Sequence, residues 1–485
     1  MSKEAERERN LTMLADFYEF TMANGYLENG IGSQTAVFDM FFRRVPDGGG
    51  FAIFAGLEQL IEYLNNLSFT EEDIEYFRSK GCFGEKFLEY LRTFRFACDV
   101  WSVREGTPIF PNEPIVTVKG PLIQAQLVET MLLLAINHQT LIATKANRIV
   151  RAAEGRAVVE FGSRRAQGSD AAILGARAAY IAGCAGTACA IADRDHGIPA
   201  AGTMAHSWVQ VFDNEYEAFK AYAKVYPDNC TLLVDTYNVI KSGIPNAIKV
   251  FNDVILPAGY RPKGVRIDSG DLAYLSKKAR KMLDEAGFPD VKIMASNSLD
   301  EYILRDLLLQ GAKLDSFGVG ENLITSKSQP VFGGVYKIVA AEDKHGLLAP
   351  KIKISETVEK ITTPGFKELY RFYSRENGKA LADYITLRGE KVDDSRDITI
   401  FDPNAVWKRK TVYGYRAEKL LVQIFDKGRL CYQSPDIEEI RAFCKQQIDT
   451  LWDESKRFEY PHRYYVDLSQ ELWDLKRRLL EELGS

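Results

Sequence analysis

A chain of 485 residues is too long for one compact core and predicts two or three domains. Its 46% apolar and 27% charged residues are those of an ordinary soluble globular protein, and a formal net charge of −5 argues against broad binding to nucleic acid or an anionic membrane. An anionic ligand must therefore be captured by a local cluster of cations. The cysteines (82, 98, 184, 189, 230, 431 and 444) are scattered, odd in number and without a CxxC pair, which suits a reducing compartment. The charged start MSKEAERERN has no apolar signal core, and the apolar run Met131–Ile136 falls short of a bilayer span, so a soluble cytoplasmic protein is expected.

Residues 11–30 predict an amphipathic helix ending at Gly30, on which Tyr18 reads from its spacing as a half-buried packing residue. AVFDMFFRRV is a strand, PDGGG a turn and FAIFAGLEQLIEYLNNL a helix. Two strands follow within 98–118, around Gly106, Pro108, Pro111 and Pro114. The apolar helix 121–136 closes an N-terminal α+β domain, 1–136.

From 137 to 345 short apolar strands alternate with helices. The strands are expected at 157–161, 199–202, 231–235, 264–267, 291–295, 314–319 and 335–339. Helices fill 169–183, 186–195, 215–225, 238–256, 271–286 and 299–310. This alternation calls for a parallel sheet with right-handed crossovers. The number of units fits a closed α/β barrel better than an open doubly wound sheet, for which no GxGxxG follows an early strand. Beyond 345 the rhythm ends. KIKIS, ELYRFYS and ADYITLR are short strands, and LSQELWDLKRRLLEEL is a closing helix. Residues 346–485 form a C-terminal α+β region that packs beside the barrel and partly returns to the N-terminal domain.

In an α/β barrel the site lies where the C-terminal strand ends converge. Those ends carry Gly162, Ser163, Arg164 and Arg165, then Thr203 and His206, then Asp235, Thr236 and Tyr237. Next come Arg266, Asp268, Ser269, Gly270 and Asp271, then Ser296 and Asn297, then Gly318 and Gly320, with Gly333-Gly334 before the last strand. Arg164 and Arg266 offer planar, permanent cations to phosphate or carboxylate. The glycines of FGVG and FGG let backbone N–H groups approach a phosphate. Asp235 and Asp268 stand where a ribose hydroxyl, a magnesium ion or a developing cation could be held. Each feature has a bland reading as well. A Gly-Gly pair is more often a turn, Asp268 or Ser269 could simply cap helix 271–286, and an Arg-Arg pair is usually a surface feature. A lone His is more often structural or a general base. Their succession on neighbouring strand ends is what points to a phosphate-ligand site. No strand of the set 157–161, 231–235, 264–267 or 314–319 contains a lysine suited to Schiff-base chemistry, which argues against a lyase or aldolase.

The motifs LADFYEFTMANGY, GGGFAIFAGLE, EFGSRRAQGSDAA, GTMAHSWV, LLVDTYN, VRIDSGDL, ASNSLDE, FGVGENLITS, GGVYK and ESKRFEYPHRYYVDLSQELWDL occur in this order over residues 14–475. In them the chain resembles the nicotinate phosphoribosyltransferase family. The resemblance implies an irregular α/β barrel with a separate N-terminal domain, and transfer of phosphoribosyl from phosphoribosyl pyrophosphate to nicotinate with magnesium present. It implies ATP hydrolysis coupled through phosphorylated His206, and a homodimer with shared active sites in which Tyr18 stacks on the pyridine from the partner subunit. Phe161 would cover the other face of the ring. Asp235 and Asp268 would face the ribose, while Arg164, Thr203, Arg266, Ser269, Gly318, Gly320, Gly333 and Gly334 would bind substrate. The related enzyme that uses nicotinamide has an acidic residue where this chain has Ala188, so the resemblance favours the acid over the amide. Glu321 stands where the family commonly has Thr, and its carboxylate is expected to repel the 5′-phosphate. A nicotinamide- or quinolinate-type transferase and a non-catalytic phosphoribosyl-binding protein are the alternatives.

Overall fold

A computed structural model describes residues 10–484. The reading of the charged N-terminal stretch rests on residues 1–9, outside the described residues. The chain divides into two compact units. Ile142–Pro330 forms a central unit, and the chain up to Leu141 together with that from Val331 onward forms a flanking unit.

The central unit is built on six strands: β1 (Ala157–Glu160), β2 (Gly186–Thr187), β3 (Thr231–Leu233), β4 (Gly264–Ile267), β5 (Lys292–Ala295) and β6 (Ser316–Val319). They form one sheet in the order β2-β1-β6-β5-β4-β3, every neighbouring pair parallel. Val158, Leu232, Val265, Ile293 and Phe317 are buried, as a parallel sheet covered by crossover helices requires. Because all six strands run the same way, their C-terminal ends lie along one edge. β2 and β3 are the outer strands, and among the described residues no ladder joins them, so the closure read from the strand count is not made by hydrogen bonds.

The expected strand 199–202 contributes only one parallel bridge, Thr187 with Ala200. Pro199 has no amide hydrogen to extend the ladder. The expected seventh parallel strand, 335–339, is also corrected. Val335–Glu342 belongs to the flanking unit and runs antiparallel to Thr35–Phe41.

The helices of the central unit are α1 (Ser169–Ile181), α2 (Ala190–His196), α3 (His206–Gln210), α4 (Glu215–Val225), α5 (Ile244–Val250, with a π-turn at each end), α6 (Leu272–Glu285), α7 (Glu301–Leu309) and α8 (Glu321–Ile324). The buried face of α1 is made largely of Gly175, Ala176, Ala178 and Ala179, small residues that let the helix lie close to its neighbours. Short polar side chains start the longer helices. Asn214 accepts from the Glu217 N–H at 3.0 Å, Asp271 from the Tyr274 N–H at 2.9 Å, and Asp300 from the Ile303 N–H at 2.8 Å. The cap of α6 is thus Asp271, not Asp268 or Ser269, and both of those remain on the loop after β4.

In the flanking unit Thr35–Phe41 lies between Val335–Glu342 and Val116–Pro121, in a seven-stranded sheet. A second sheet orders Tyr415–Lys419, Lys367–Ser374, Ala380–Leu387 and Val466–Leu468. One apolar cluster, including Phe20, Phe77, Phe87, Tyr336, Leu369 and Leu472, joins the two ends of the chain. KIKIS is not a strand. The Lys351 N–H goes to Val339 O at 2.8 Å and the Lys353 N–H to Thr362 Oγ1 at 3.0 Å, so its amides are taken singly. The helix expected at 121–136 becomes Leu122–Gln126 followed by Glu129–Ala152. This run of 31 residues is long and apolar enough to cross a bilayer, but 72% of its most apolar window is buried, as in a core helix.

Candidate active site

The C-terminal edge of the central sheet opens into a cavity of about 470 Å³. The turn after β1 sends Phe161, Arg164 and Arg165 to its wall, the turn after β2 sends Ala188, the loop before α3 sends Thr203, and α3 begins with His206. β4 contributes Arg266 and the loop after it Asp268, the turn after β5 contributes Ser296, and β6 runs out through Gly318 and Gly320 to Glu321. Sequence reasoning missed Ser298, which also lines the cavity. The signal for it is conformational: Asn297 and Ser298 hold φ of 96° and 43°, sparsely populated for side-chain-bearing residues.

Arg266 alternates with the buried Val265 and Ile267, so its guanidinium emerges from the sheet. Its Nη1 donates to Thr203 Oγ1 at 2.8 Å and its Nη2 to Met204 O at 3.1 Å. Burial lowers its pKa from the ordinary arginine value, yet an arginine remains charged. Its Nε is buried without a hydrogen-bond partner.

Two carboxylates meet one imidazole beside it. Asp235 Oδ2 accepts the Asp268 N–H at 3.0 Å and the Ser269 hydroxyl at 2.6 Å. Asp268 Oδ1 in turn accepts from Ser296 Oγ. The remaining oxygens face His206 Nε2, which lies 4.0 Å from Asp235 Oδ1 and 3.7 Å from Asp268 Oδ2. His206 Nδ1 is 3.1 Å from Thr236 Oγ1, so the ring is oriented from its far side and Nε2 is left toward the carboxylates. The Asp235 side chain is 2% exposed and its Oδ1 has no hydrogen-bond partner. A buried carboxylate oxygen without a hydrogen bond is costly unless a cation, an imidazolium or a metal ion, completes it. The donor set of Asp235 Oδ1 and Asp268 Oδ2 fits Mg²⁺, which uses one or two carboxylates and keeps water or phosphate oxygens for the rest. Among the described residues no group of three or more His, Cys, Asp or Glu side chains is placed to bind a metal by itself, so such an ion must be shared with a ligand.

Gly318 has a further, packing reason to be glycine. A Cβ there would lie 2.4 and 2.5 Å from Phe161 Cδ2 and Cε2, so the Phe161 ring occupies that space. Glu321, expected to repel a phosphate, is paired instead. Its Oε1 accepts from Lys327 Nζ at 2.8 Å, and that bond holds its carboxyl below the usual glutamate range.

Three of the expected site residues lie in the flanking unit and do not line this cavity. Tyr18 sits on helix Phe17–Glu28, 45% exposed, and burial with the Glu129 carboxylate raises its hydroxyl pKa. Gly333, with φ of 69°, turns the chain into Val335–Glu342, and a Cβ on Gly334 would lie 2.2 Å from Asn137 Oδ1. Those two glycines are explained by their own unit. Asp235 and Ser269 stand behind the wall and act on it through Asp268.

Family profiles match the chain in order. The nicotinate phosphoribosyltransferase N-terminal domain matches residues 13–137, the nicotinate phosphoribosyltransferase family 157–371, and the C-terminal domain 366–476. The nicotinate phosphoribosyltransferase of Bacillus subtilis is 46% identical over 481 residues, 99% of this chain and 97% of that protein. That of Homo sapiens is 32% identical, covering 96% of each. The crystal structure of human nicotinic acid phosphoribosyltransferase superposes with a TM-score of 0.85 at 30% identity, over 96% of this chain and 99% of that one. A nicotinate-nucleotide pyrophosphorylase from Pyrococcus furiosus, 23% identical and covering 92% of this chain and 97% of that one, shares the fold with a TM-score of 0.67.

Proposed function

The chain belongs to the nicotinate phosphoribosyltransferase family, and from that premise we propose that it transfers phosphoribosyl from phosphoribosyl pyrophosphate to the ring nitrogen of nicotinate, with ATP hydrolysis coupled through His206. The products are nicotinate mononucleotide and pyrophosphate, the entry of the free acid into NAD synthesis. The observation that carries this reading is the convergence of His206 and Asp268 beside three arginines in one cavity, with Asp235 bonded to the Asp268 N–H behind its wall. As the bond from ribose C1 to the pyrophosphate oxygen breaks, positive charge grows on the ribose and negative charge on the leaving group. In this reading Asp268 stabilises the first, and Arg164 and Arg165 the second. The nicotinate carboxylate is met by Arg266, whose fork is aimed by Thr203 and Met204. Ala188 leaves no anion on that wall to oppose it.

The proposed phosphoryl acceptor is His206 Nε2, because Thr236 occupies the other nitrogen. A phosphoryl group there would stand against Asp235 and Asp268, and like-charge repulsion would make it prone to leave. Magnesium held by Asp235 and Asp268 would supply charge neutralisation for the phosphates. The same proposal includes an irregular α/β barrel, supported by the parallel strand order, and a homodimer in which Tyr18 reaches the partner subunit's cavity, supported by its exposure.

Purified protein given nicotinate, phosphoribosyl pyrophosphate, ATP and magnesium should form the mononucleotide. Equal or better turnover of nicotinamide would refute the substrate assignment.

A further inference from the structure

Glu160, the last residue of β1, is fully buried and plays no part in the chemistry above. Burial raises the pKa of its carboxyl, although the Thr187 hydroxyl and the Gly162 N–H both donate to it. Its two carboxylate oxygens and its backbone carbonyl are all spent on the two strand ends that make one wall of the cavity. Glu160 Oε1 accepts the N–H of Gly162, the residue that opens the turn carrying Arg164 and Arg165. Oε2 accepts the Thr187 hydroxyl at 2.7 Å. Its backbone carbonyl accepts the Ala188 N–H at 2.8 Å. Thr187 Oγ1 then accepts the Cys189 N–H at 3.0 Å, so the turn out of β2 is tied to the same carboxylate. Phe161 and Ala188, which line the cavity, are the residues immediately after the two that are clamped.

We propose that Glu160 is a positioning residue: without touching substrate, it locks the ends of β1 and β2 together and so fixes the spacing of Phe161 and Ala188, between which the substrate ring and its substituent are read. This rests on the transferase reading above. The donor pattern explains why a carboxylate is required. Thr187 Oγ1 already accepts a hydrogen bond from the Cys189 N–H, and its own O–H must find an acceptor on the other side. An amide could satisfy Gly162 with its oxygen but would present N–H groups to Thr187 and leave that hydroxyl proton buried and unpaired. The space around the clamp is closed as well. A Cβ on Gly162 would lie 2.6 Å from Ile324 Cβ and 2.8 Å from Glu160 Oε1, so that side of the turn is filled.

The test is Glu160→Gln in the full chain, with two readouts. Hydrogen exchange should quicken by about tenfold in peptides covering 161–165 and 186–190, while α6 and α7 keep the parental rates. In kinetics the KM for nicotinate should rise by about tenfold, with the KM for phosphoribosyl pyrophosphate within about twofold. Thr187→Val should reproduce both effects, and it carries the test if Glu160→Gln does not fold. Thr187→Ser should restore parental behaviour, and the double variant should be no worse than either single one. Unchanged exchange at both peptides would overturn the proposal, as would quickened exchange through the whole unit with both KM values rising together. A parent that forms no mononucleotide overturns the reaction and not the clamp, which the exchange experiment decides by itself.

Discussion

Gly318→Ala is a small change with a calculable effect. The new methyl group would stand 2.4 Å from Phe161 Cδ2 and 2.5 Å from Cε2, where ordinary contact begins at 3.4 Å. The backbone cannot yield the difference, because Gly318 pairs with Val159 inside a ladder extended by Phe161 N–H to Val319 O at 2.8 Å. The ring must therefore retreat by about 1 Å into the cavity. Overpacking of this kind costs about 1–3 kcal/mol in stability. A misplacement of about 1 Å at a substrate-positioning group costs about 100-fold in rate, close to 2.7 kcal/mol of transition-state binding. We expect kcat/KM for nicotinate to fall by about that factor, with the KM for phosphoribosyl pyrophosphate serving as the internal control. In a Phe161→Leu background the same alanine should do little, since the colliding ring edge is gone. Parental kcat/KM for nicotinate in Gly318→Ala, or full additivity with Phe161→Leu, would refute the reasoning.

His206→Asn should lose ATP hydrolysis and the stimulation by ATP while keeping slow phosphoribosyl transfer, and ATPase activity at the parental rate would exclude the phosphohistidine role. Ala188→Asp places a carboxylate on the wall proposed to receive the substrate acid, so the ratio of nicotinate to nicotinamide turnover should fall by at least tenfold, about 1.4 kcal/mol. Burial raises the Glu19 carboxyl to about 7, although it accepts from Thr130 Oγ1. A carboxyl raised on folding stabilises the protein at low pH, and this contribution is lost as the pH climbs from the unfolded value toward 7. Glu19→Gln should therefore raise the melting temperature of the flanking unit at pH 8 and leave it nearly unchanged at pH 5, with a gain of about 2 kcal/mol at most. A gain of equal size at both pH values would show that the charge is not the cause.

The edge of the central sheet was legible because its polar residues each follow a short apolar run, and a parallel sheet has no other way to place such runs. Arg266 was readable from alternation, since Val265 and Ile267 on either side demand the buried faces. The antiparallel pairing of Val335–Glu342 was not readable, because an apolar run bounded by Gly-Gly looks the same whichever way its neighbour points. The helix cap went to Asp271 over Asp268 and Ser269 for a tertiary reason: Asp235 and Ser296 already engage those two from other strands. Glu160 was passed over as the end of an apolar strand, since its value lies in two hydrogen bonds to residues 2 and 27 positions away. The pairing of Glu321 with Lys327 is a matter of loop geometry that spacing alone does not disclose.

The antiparallel pair Thr35–Phe41 and Val335–Glu342 also has a consequence in time. The Thr35 N–H is held by Glu342 Oε2 at 2.9 Å across 307 positions of chain. A ribosome makes the first strand long before its neighbour, so that edge emerges with its amides unpaired and waits while all of Ile142–Pro330 is synthesised. Nascent chains arrested before Val331 should thus be protease-sensitive around Thr35–Phe41 and dependent on chaperones, and release of the last 155 residues should remove both properties together.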